Sequence, residues 1–231
     1  MVERFFKKKR EGTPLAVLIA LSVVCLSPLA ANAADTLKTQ AEVDALLASG
    51  GDISHEVTGT NNVKPSEDLT FKAADGEPVS ELAFTTNASL ASLMISDNKT
   101  VSFEGSVQKL AFGKDDKPHI GKSISVNKNA TLNVFSPIAS VTSDYEGYDG
   151  AVYADDGGVV NFGDQDHVLK EVKIQRAAYS GESETAGIAV RAGSASSSEV
   201  NVIAQNMHIS KFRYGIVANG STNSTPSLAL P

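Results

Sequence analysis

Acidic residues in the second half of the sequence form the clusters with the clearest potential for chemistry. A pair of carboxylates can serve as general acid and general base, or can bind calcium through oxygen ligands. Enzymes that cleave acidic polysaccharides combine such carboxylates with basic side chains. The candidate residues are Asp155, Asp156, Asp164, Asp166 and His167, followed further along the chain by Arg191 and Arg213.

The same clusters also have the composition of β-turns. In Asp155-Asp156-Gly157-Gly158, Asp hydrogen-bonds the local backbone and Gly supplies left-handed conformations. Asp164-Gln165-Asp166 lacks the Gly and the distant Glu of a calcium-binding loop. We therefore expect a turn at Asp155-Asp156-Gly157-Gly158 and no calcium-binding loop at Asp164-Gln165-Asp166, and we predict no catalytic, cofactor-binding or metal-binding residues.

Signatures of other catalytic classes are missing from the sequence after residue 33. It has no Gly-Asp-Ser-Gly or Gly-x-Ser-x-Gly segment, no His-x-x-x-His pair for zinc, and no phosphate-binding glycine pattern. The single cysteine, Cys25, excludes a disulfide framework. We expect each histidine at the surface or at a corner of the fold. The histidines are His55, His119, His167 and His208.

Residues 1–33 have the features of a secretory signal peptide. Five basic residues precede an apolar segment from Leu15 to Leu26, and Ala31-Asn32-Ala33 has the small-residue pattern of a cleavage site. A helix of that apolar length covers about 18 Å, which is too short for a hydrocarbon core of about 30 Å. We therefore expect secretion and cleavage after Ala33.

The rest of the chain is acidic. The whole sequence has a net charge of −7, and residues 34–231 contain 15 basic and 25 acidic residues, a net charge of −10. Nucleic acids and anionic membranes attract basic surfaces, so neither is an expected partner. Hydrophobic residues make up 42% of the sequence and charged residues 20%, which indicates a folded chain.

One short amphipathic helix is predicted near residues 39–48. Thr39-Gln40-Ala41-Glu42 has the spacing of a capping box, in which the Thr hydroxyl and the Glu carboxylate bind free backbone N–H groups. The apolar stripe of this helix is formed by Val43, Leu46 and Leu47. Gly50-Gly51 then provides a left-handed stop. We assign residues 34–52 to an N-terminal capping segment.

After residue 52 the sequence alternates between apolar and polar residues in many short segments. Each triplet puts its outer residues on one face and its middle residue on the other, as in a half-buried β-strand. Turn-forming Asp, Asn and Gly residues separate the triplets. The triplets are Leu69-Thr70-Phe71, Leu82-Ala83-Phe84, Val101-Ser102-Phe103, Leu110-Ala111-Phe112, Ile124-Ser125-Val126, Leu132-Asn133-Val134, Val160-Asn161-Phe162, Val172-Lys173-Ile174 and Val200-Asn201-Val202.

Several of these segments repeat at a spacing of 28 residues. The matching pairs are Leu82-Ala83-Phe84 with Leu110-Ala111-Phe112, Gly187-Ile188-Ala189-Val190 with Gly215-Ile216-Val217-Ala218, and Val200-Asn201-Val202 with Leu228-Ala229-Leu230. A further copy begins at Gly150, 37 residues before Gly187. Repeats of this kind are typical of solenoid proteins.

These features favour an all-β fold, a right-handed parallel β-helix whose first coil is covered by the predicted helix. Equivalent strands of successive coils stack about 4.8 Å apart, and corner loops vary in length without disturbing the stack. With about 20–25 residues per coil, we expect about eight or nine coils, with the repeats over residues 53–231. The alternative is a β-sandwich, which needs tight hairpins that the spacing does not indicate.

Several segments together are typical of one family of exported proteins. They are the basic leader, the capping segment Glu42-Val43-Asp44-Ala45-Leu46-Leu47-Ala48, the segment from Gly150 to Phe162, the repeats at Gly187 and Gly215, and Asn129-Ala130-Thr131-Leu132-Asn133-Val134. In these the chain resembles the start of the passenger region of a monomeric autotransporter, a pertactin-like β-helix from a Gram-negative bacterium. The resemblance implies a type V secreted passenger that is displayed at the outer membrane or released from it.

The resemblance also implies parts that this sequence does not contain. An autotransporter needs export machinery and a C-terminal β-barrel of about a dozen strands. The sequence ends at Pro231, inside a predicted coil, so we expect an N-terminal fragment. The expected function is non-enzymatic: adhesin-like binding to host glycans, host proteins or neighbouring cells, or a structural stalk. The alternative is a stand-alone β-helix that acts on polysaccharides through Asp155, Asp164 or Asp166.

Overall fold

The computed structural model describes most of the chain after residue 34. The described ranges are 35–86, 91–113, 122–144, 149–177, 185–193, 196–220 and 227–229. The predicted signal peptide at residues 1–33 and His119 lie outside these ranges. What the sequence predicts for them stays a prediction.

One helix and a series of short strands make up the described structure. The helix, α1, spans Gln40–Leu47. The strands are β1 (Gly51–Val57), β2 (Leu69–Phe71), β3 (Val79–Thr86), β4 (Leu93–Ile95), β5 (Thr100–Phe103), β6 (Lys109–Phe112), β7 (Ile124–Val126), β8 (Thr131–Val134), β9 (Ile138–Ser143), β10 (Gly150–Asp155), β11 (Val159–Phe162), β12 (Glu171–Arg176), β13 (Ala186–Arg191), β14 (Glu199–Val202), β15 (Met207–Ser210), β16 (Tyr214–Asn219) and β17 (Ser227–Ala229).

The strands form three parallel sheets that wrap around one interior. The first sheet has the order β1-β3-β6-β9-β12-β15, the second β4-β7-β10-β13-β16, and the third β2-β5-β8-β11-β14-β17. Each pass of the chain around the stack adds one strand to each sheet, and about five coils result. The predicted parallel β-helix is therefore confirmed. The β-sandwich alternative is wrong, because its sheets are antiparallel.

The interior is filled by the outer residues of the predicted triplets. All nine triplets lie in strands, and their outer residues are buried in one continuous core. Phenylalanines stack in the N-terminal part of this core: the ring centroids of Phe71 and Phe103 are 4.4 Å apart, and those of Phe84 and Phe112 are 5.6 Å apart. Four of the nine phenylalanines thus fill the N-terminal part of the core, where each buries a large apolar area.

The 28-residue repeat corresponds to the observed strand register. The paired residues include Leu82 with Leu110, Ile188 with Ile216, and Val200 with Leu228. Each repeat is therefore one complete coil, and the repeated residues are direct neighbours in the stack.

The prediction for the copy at Gly150 is wrong by one residue. The structure pairs Gly150 with Ala186 instead of Gly187. A slip of one residue exchanges the two faces of a strand. The observed register therefore puts Val152 in the core and Tyr153 on the outer face.

The expected number of coils is also wrong. Neighbouring coils are offset by 28 residues at Glu81 and Lys109, but by 40 residues at Asn161 and Asn201. The coils are longer than 20–25 residues because the corners between strands hold long connections. The chain consequently makes about five coils instead of eight or nine.

Helix α1 begins with the predicted capping box and packs its apolar side on the first coil. The Thr39 hydroxyl accepts a hydrogen bond from the N–H of Glu42, and the Glu42 carboxylate accepts one from the N–H of Thr39 at 3.0 Å. Val43 and Leu47 are buried in the core. Gly50 has a φ of 58°, the left-handed conformation that ends the helix. The prediction of a capping helix is confirmed.

A side-chain amide completes the cap. The Gln40 amide nitrogen donates to the carbonyl of Thr70, and its oxygen accepts from the Thr70 N–H, both at 2.8 Å. Thr70 is the central residue of β2, the first strand of the third sheet. The amide thus takes the place of a neighbouring strand and satisfies backbone groups that an open edge leaves free.

Asparagine side chains form a ladder on the outer face of the third sheet. The Asn161 amide donates to the Asn133 carbonyl oxygen, and the Asn201 amide donates to that of Asn161, both at 2.9 Å. Asn133 in turn donates to the Ser102 hydroxyl at 3.2 Å. The ladder ties four successive coils together on the side away from the core.

One histidine lies in the core, contrary to the prediction of a surface or corner position. His55 on β1 is 3% exposed, and its ring meets the Phe84 ring edge-on with centroids 5.9 Å apart. Burial lowers the pKa of His55 below its ordinary 6.5, and this effect exceeds the opposing hydrogen bonds with the backbone of Asp35 and Asn62. His167 and His208 are exposed, as predicted.

Acidification should destabilise the fold through His55. Below about pH 6.5 the unfolded chain binds a proton at His55, whereas the buried ring of the folded chain does not. The free energy of unfolding is therefore constant above about pH 6.5 and decreases at lower pH, by at most about 1.4 kcal/mol per pH unit. Urea unfolding between about pH 5.5 and pH 7.5 measures this slope. His55→Leu should flatten it, whereas His208→Gln, on an exposed strand, should leave it unchanged. An unchanged slope in His55→Leu would contradict this assignment.

Candidate functional site

The first acidic cluster forms a tight turn between the second and third sheets. Asp155 ends β10, and its carbonyl accepts a hydrogen bond from the Gly158 N–H at 2.9 Å. The two central residues, Asp156 and Gly157, have φ values of 48° and 80°. Positive φ at both central positions is the requirement of a type I′ turn. The turn interpretation is therefore confirmed here.

The same turn occurs in the two preceding coils. Its central residues there are Asp97-Asn98 and Lys128-Asn129, all with φ between 52° and 59°. Neighbouring turns bond to each other, since the Asn98 N–H donates to the carbonyl of Lys128 and the Asn129 N–H donates to that of Asp156. Asp155 and Asp156 are thus part of a stacked corner of the solenoid.

The second acidic cluster is a turn between the third and first sheets. One oxygen of Asp164 accepts hydrogen bonds from the N–H of Asp166 at 2.9 Å, the N–H of His167 at 2.7 Å, and the His167 Nδ1 at 2.9 Å. Partial burial raises the pKa of Asp164, but the hydrogen bonds from His167 and Asp166 outweigh it, and the pKa is lowered. The His167 ring stacks on Phe135 with centroids 4.5 Å apart. These contacts fold the corner.

The structure does not bring the two acidic clusters together. They lie at opposite ends of β11, whose four residues separate them by on the order of 13 Å. Arg191 is the register partner of Asp155, whereas Arg213 lies 5.5 Å from the centroid of the Tyr214 ring in the following coil. Asp155 and Arg191 therefore lie side by side, but the second acidic cluster and Arg213 do not join them in one groove.

Asp155 and Arg191, two of the candidate residues, lie together in a cluster that was not predicted from the sequence and that surrounds Tyr153. Its hydroxyl donates to the Asp155 carboxylate at 2.8 Å and lies 3.5 Å from Arg191 Nη1. Lys122 Nζ sits 4.1 Å from the ring centroid and also pairs with Asp149. Burial, together with the neighbouring carboxylates, raises the pKa of Tyr153 to about 12. The correct strand register, with Tyr153 facing outward, is the signal that locates this cluster.

A groove of about 390 Å³ lies on the outer face of the first sheet. It crosses four neighbouring strands, β3, β6, β9 and β12, and therefore extends along the stack for about 14 Å. Its lining residues are Glu81, Lys109, Ala111, Gly113, Ile138, Ser140, Thr142, Glu171, Lys173 and Gln175. This groove is the candidate functional site.

The in-register pairing of the strands determines the shape of the groove. The floor is a row of small residues, because Ala111 pairs with Ser140 in the middle of the face. Longer side chains stand on one side, where Lys109 pairs with Ile138. On the other side Thr142 pairs with Gln175, and their side chains are 3.3 Å apart. The depth of the groove thus comes from residue size at equivalent positions of successive coils.

The charges in the groove are balanced. Lys109 Nζ lies 2.9 Å from the Glu81 carboxylate, and both side chains are partly exposed. Glu171 and Lys173 add one further charge of each sign on β12. The 28-residue repeat could have identified the first pair, since it aligns Glu81 with Lys109. The alternation of apolar and polar residues did not identify them, because it predicts which residues face the core, and the groove residues face outward.

No protein-family model matches this chain, and no curated protein and no solved structure matches it either. No group of three or more His, Cys, Asp or Glu in the described ranges could hold a metal ion. Within the same ranges, no helix is long and apolar enough to cross a membrane.

Substitutions of glycine should distinguish the stacked turn from an open surface. A Cβ at Gly158 would lie 2.1 Å from the Val126 carbonyl oxygen in the preceding coil, whereas a Cβ at Gly215 meets nothing within 4 Å. We expect Gly158→Ala to lower the free energy of unfolding by about 1–3 kcal/mol. Gly215→Ala, the matched control, should change it by less than about 0.5 kcal/mol. Equal effects in urea unfolding would contradict the stacked corner.

Proposed function

We propose that this chain is the N-terminal part of an exported β-helical passenger that binds partners at the cell surface. The observation that carries this proposal is the stack of parallel coils, closed at its N-terminal end by α1 and carrying an asparagine ladder on the outer face of its third sheet. A solenoid of this kind presents a long, regular surface while each coil contacts only its neighbours. Such a surface suits adhesion or a stalk that holds a binding region away from the cell.

The sequence supports the exported location. The basic, apolar and small-residue segments of residues 1–33 are those of a secretory signal peptide. The remaining chain has a net charge of −10 and no cysteine, so it requires neither a disulfide-forming environment nor a nucleic acid partner. We extend the proposal to display at, or release from, the outer membrane of a Gram-negative cell, as the resemblance to autotransporter passengers implies.

The geometry of the candidate residues favours binding over catalysis by the acidic clusters. The two clusters lie at separate corners, and the carboxylates of Asp155 and Asp164 accept hydrogen bonds from the backbone of their own turns. By contrast, the groove on the first sheet offers several polar side chains on one rigid face. The binding function is therefore assigned to that face.

Cell fractionation tests the proposed location and size. Immunoblotting with an antibody to residues 34–231 should detect the protein in the outer-membrane or extracellular fraction, in a band well above the 24.1 kDa of this chain. Ala33→Arg, which removes a small residue from the cleavage site, should leave the leader attached and retain the protein in the cell envelope. A cytoplasmic product, or a soluble one no larger than this chain, would overturn the proposal.

A further inference from the structure

We propose that the groove on the first sheet binds an uncharged oligosaccharide chain along the stack of coils. This inference rests on the proposed binding function and names the ligand class of the same site. Three features of the groove carry the inference: its charge, its apolar content and the backbone beneath it. Each of these features excludes one competing class of ligand.

Charge balance excludes an anionic polymer as the preferred ligand. The ionic side chains of the groove are two carboxylates, Glu81 and Glu171, and two ammonium groups, Lys109 and Lys173. The Glu81–Lys109 pair is already formed at 2.9 Å. A polyanion is attracted by a surface with excess positive charge, and this groove has none. Binding of an uncharged ligand leaves the pair intact.

The small apolar content excludes an amphipathic helix or an apolar peptide. Such ligands need several large apolar or aromatic anchors, and Ile138 is the one large apolar side chain that lines the groove in the described structure. The floor is made of Ala111, Gly113 and Ser140. Apolar side chains of a peptide would therefore gain little area here.

The paired backbone excludes an extended peptide. A peptide that adds as a strand needs free N–H and C=O groups at a sheet edge. The strands beneath the groove are interior, because β3, β6, β9 and β12 each pair with a strand on both sides. A ligand in the groove therefore meets side chains and not unpaired backbone.

An uncharged polyhydroxyl chain fits the charge, the polarity and the open shape of the groove. Sugar hydroxyls both donate and accept hydrogen bonds, and the groove offers acceptors on Glu171, donors on Lys173, and groups of both kinds on Ser140. Hydrogen bonds to the ionised groups are the stronger ones. The groove is open along the stack and crosses four coils, so a linear oligosaccharide can contact several equivalent positions in turn.

An oligosaccharide array with matched variants tests the inference. The full chain is applied to immobilised neutral oligomers of glucose, of galactose and of N-acetyllactosamine, beside uronic acid oligomers of the same length and random dodecapeptides. We expect binding to at least one neutral series, with less than a twofold change between low and high salt, because neutral ligands are not screened. The series that binds shows whether the sugar is of the glucan, the galactan or the lactosamine kind.

Two substitutions on the same face separate groove binding from general surface effects. Ser140→Tyr fills the floor and should weaken binding at least tenfold. Ser54→Tyr makes the same change at an exposed position of the first sheet, in register with Ala83 and outside the groove, and should change binding less than twofold. Circular dichroism confirms that both variants retain the fold.

Several outcomes would overturn the inference. They are a preference for uronic acid oligomers or peptides, the absence of binding to every neutral series, and equal binding by Ser140→Tyr and the unsubstituted chain. A protein found at the cell surface that gives any of these results would refute the ligand class alone. A cytoplasmic protein that binds a neutral series through the groove would refute the proposed location and leave the site assignment standing.

Discussion

Parallel, in-register pairing between successive coils is the interaction on which the other features of this protein depend. Each strand satisfies its backbone groups on the coils before and after it, so equivalent residues stand about 4.8 Å apart in rows. A residue type that suits one row position suits the next. The stacked phenylalanines, the asparagine ladder and the repeated type I′ turns are three consequences of this one constraint. The groove is a fourth, because its floor is a row of small residues.

A stack of this kind leaves its first coil without a neighbour, and the sequence solves that problem locally. Helix α1 covers the apolar interior, while the Gln40 amide forms hydrogen bonds with the backbone of Thr70 in β2. His55 is buried in the adjacent strand at the same end of the stack. Because burial lowers its pKa, protonation of the ring opposes folding. The N-terminal end of the stack therefore combines stacked phenylalanines with the one buried imidazole of the described residues.

Much of the fold could be predicted from the sequence because a two-residue period and a 28-residue repeat both depend on local patterns. The triplets identified the strands, and Leu82 and Leu110 identified the register. The error at Gly150 arose because Gly150 was aligned with Gly187 as the same residue type, whereas the structure aligns the core residues Val152 and Ile188. The number of coils was wrong because corner connections carry no strand pattern. The burial of His55 was missed although Ile53, His55 and Val57 share one face of an alternating strand. The groove depends on outward residues from four coils, which become neighbours only once the register is known.

The equality between the 28-residue repeat and one full coil has a consequence for how such genes change. Removing residues 82–109 would join Glu81 to Leu110, and every inward position downstream would remain inward, since Leu82 and Leu110 occupy the same row. Unequal recombination between neighbouring repeats can therefore shorten or lengthen the stack by whole coils in a single event. The product of each event retains a packed interior, so the number of coils can change between related sequences without loss of the core.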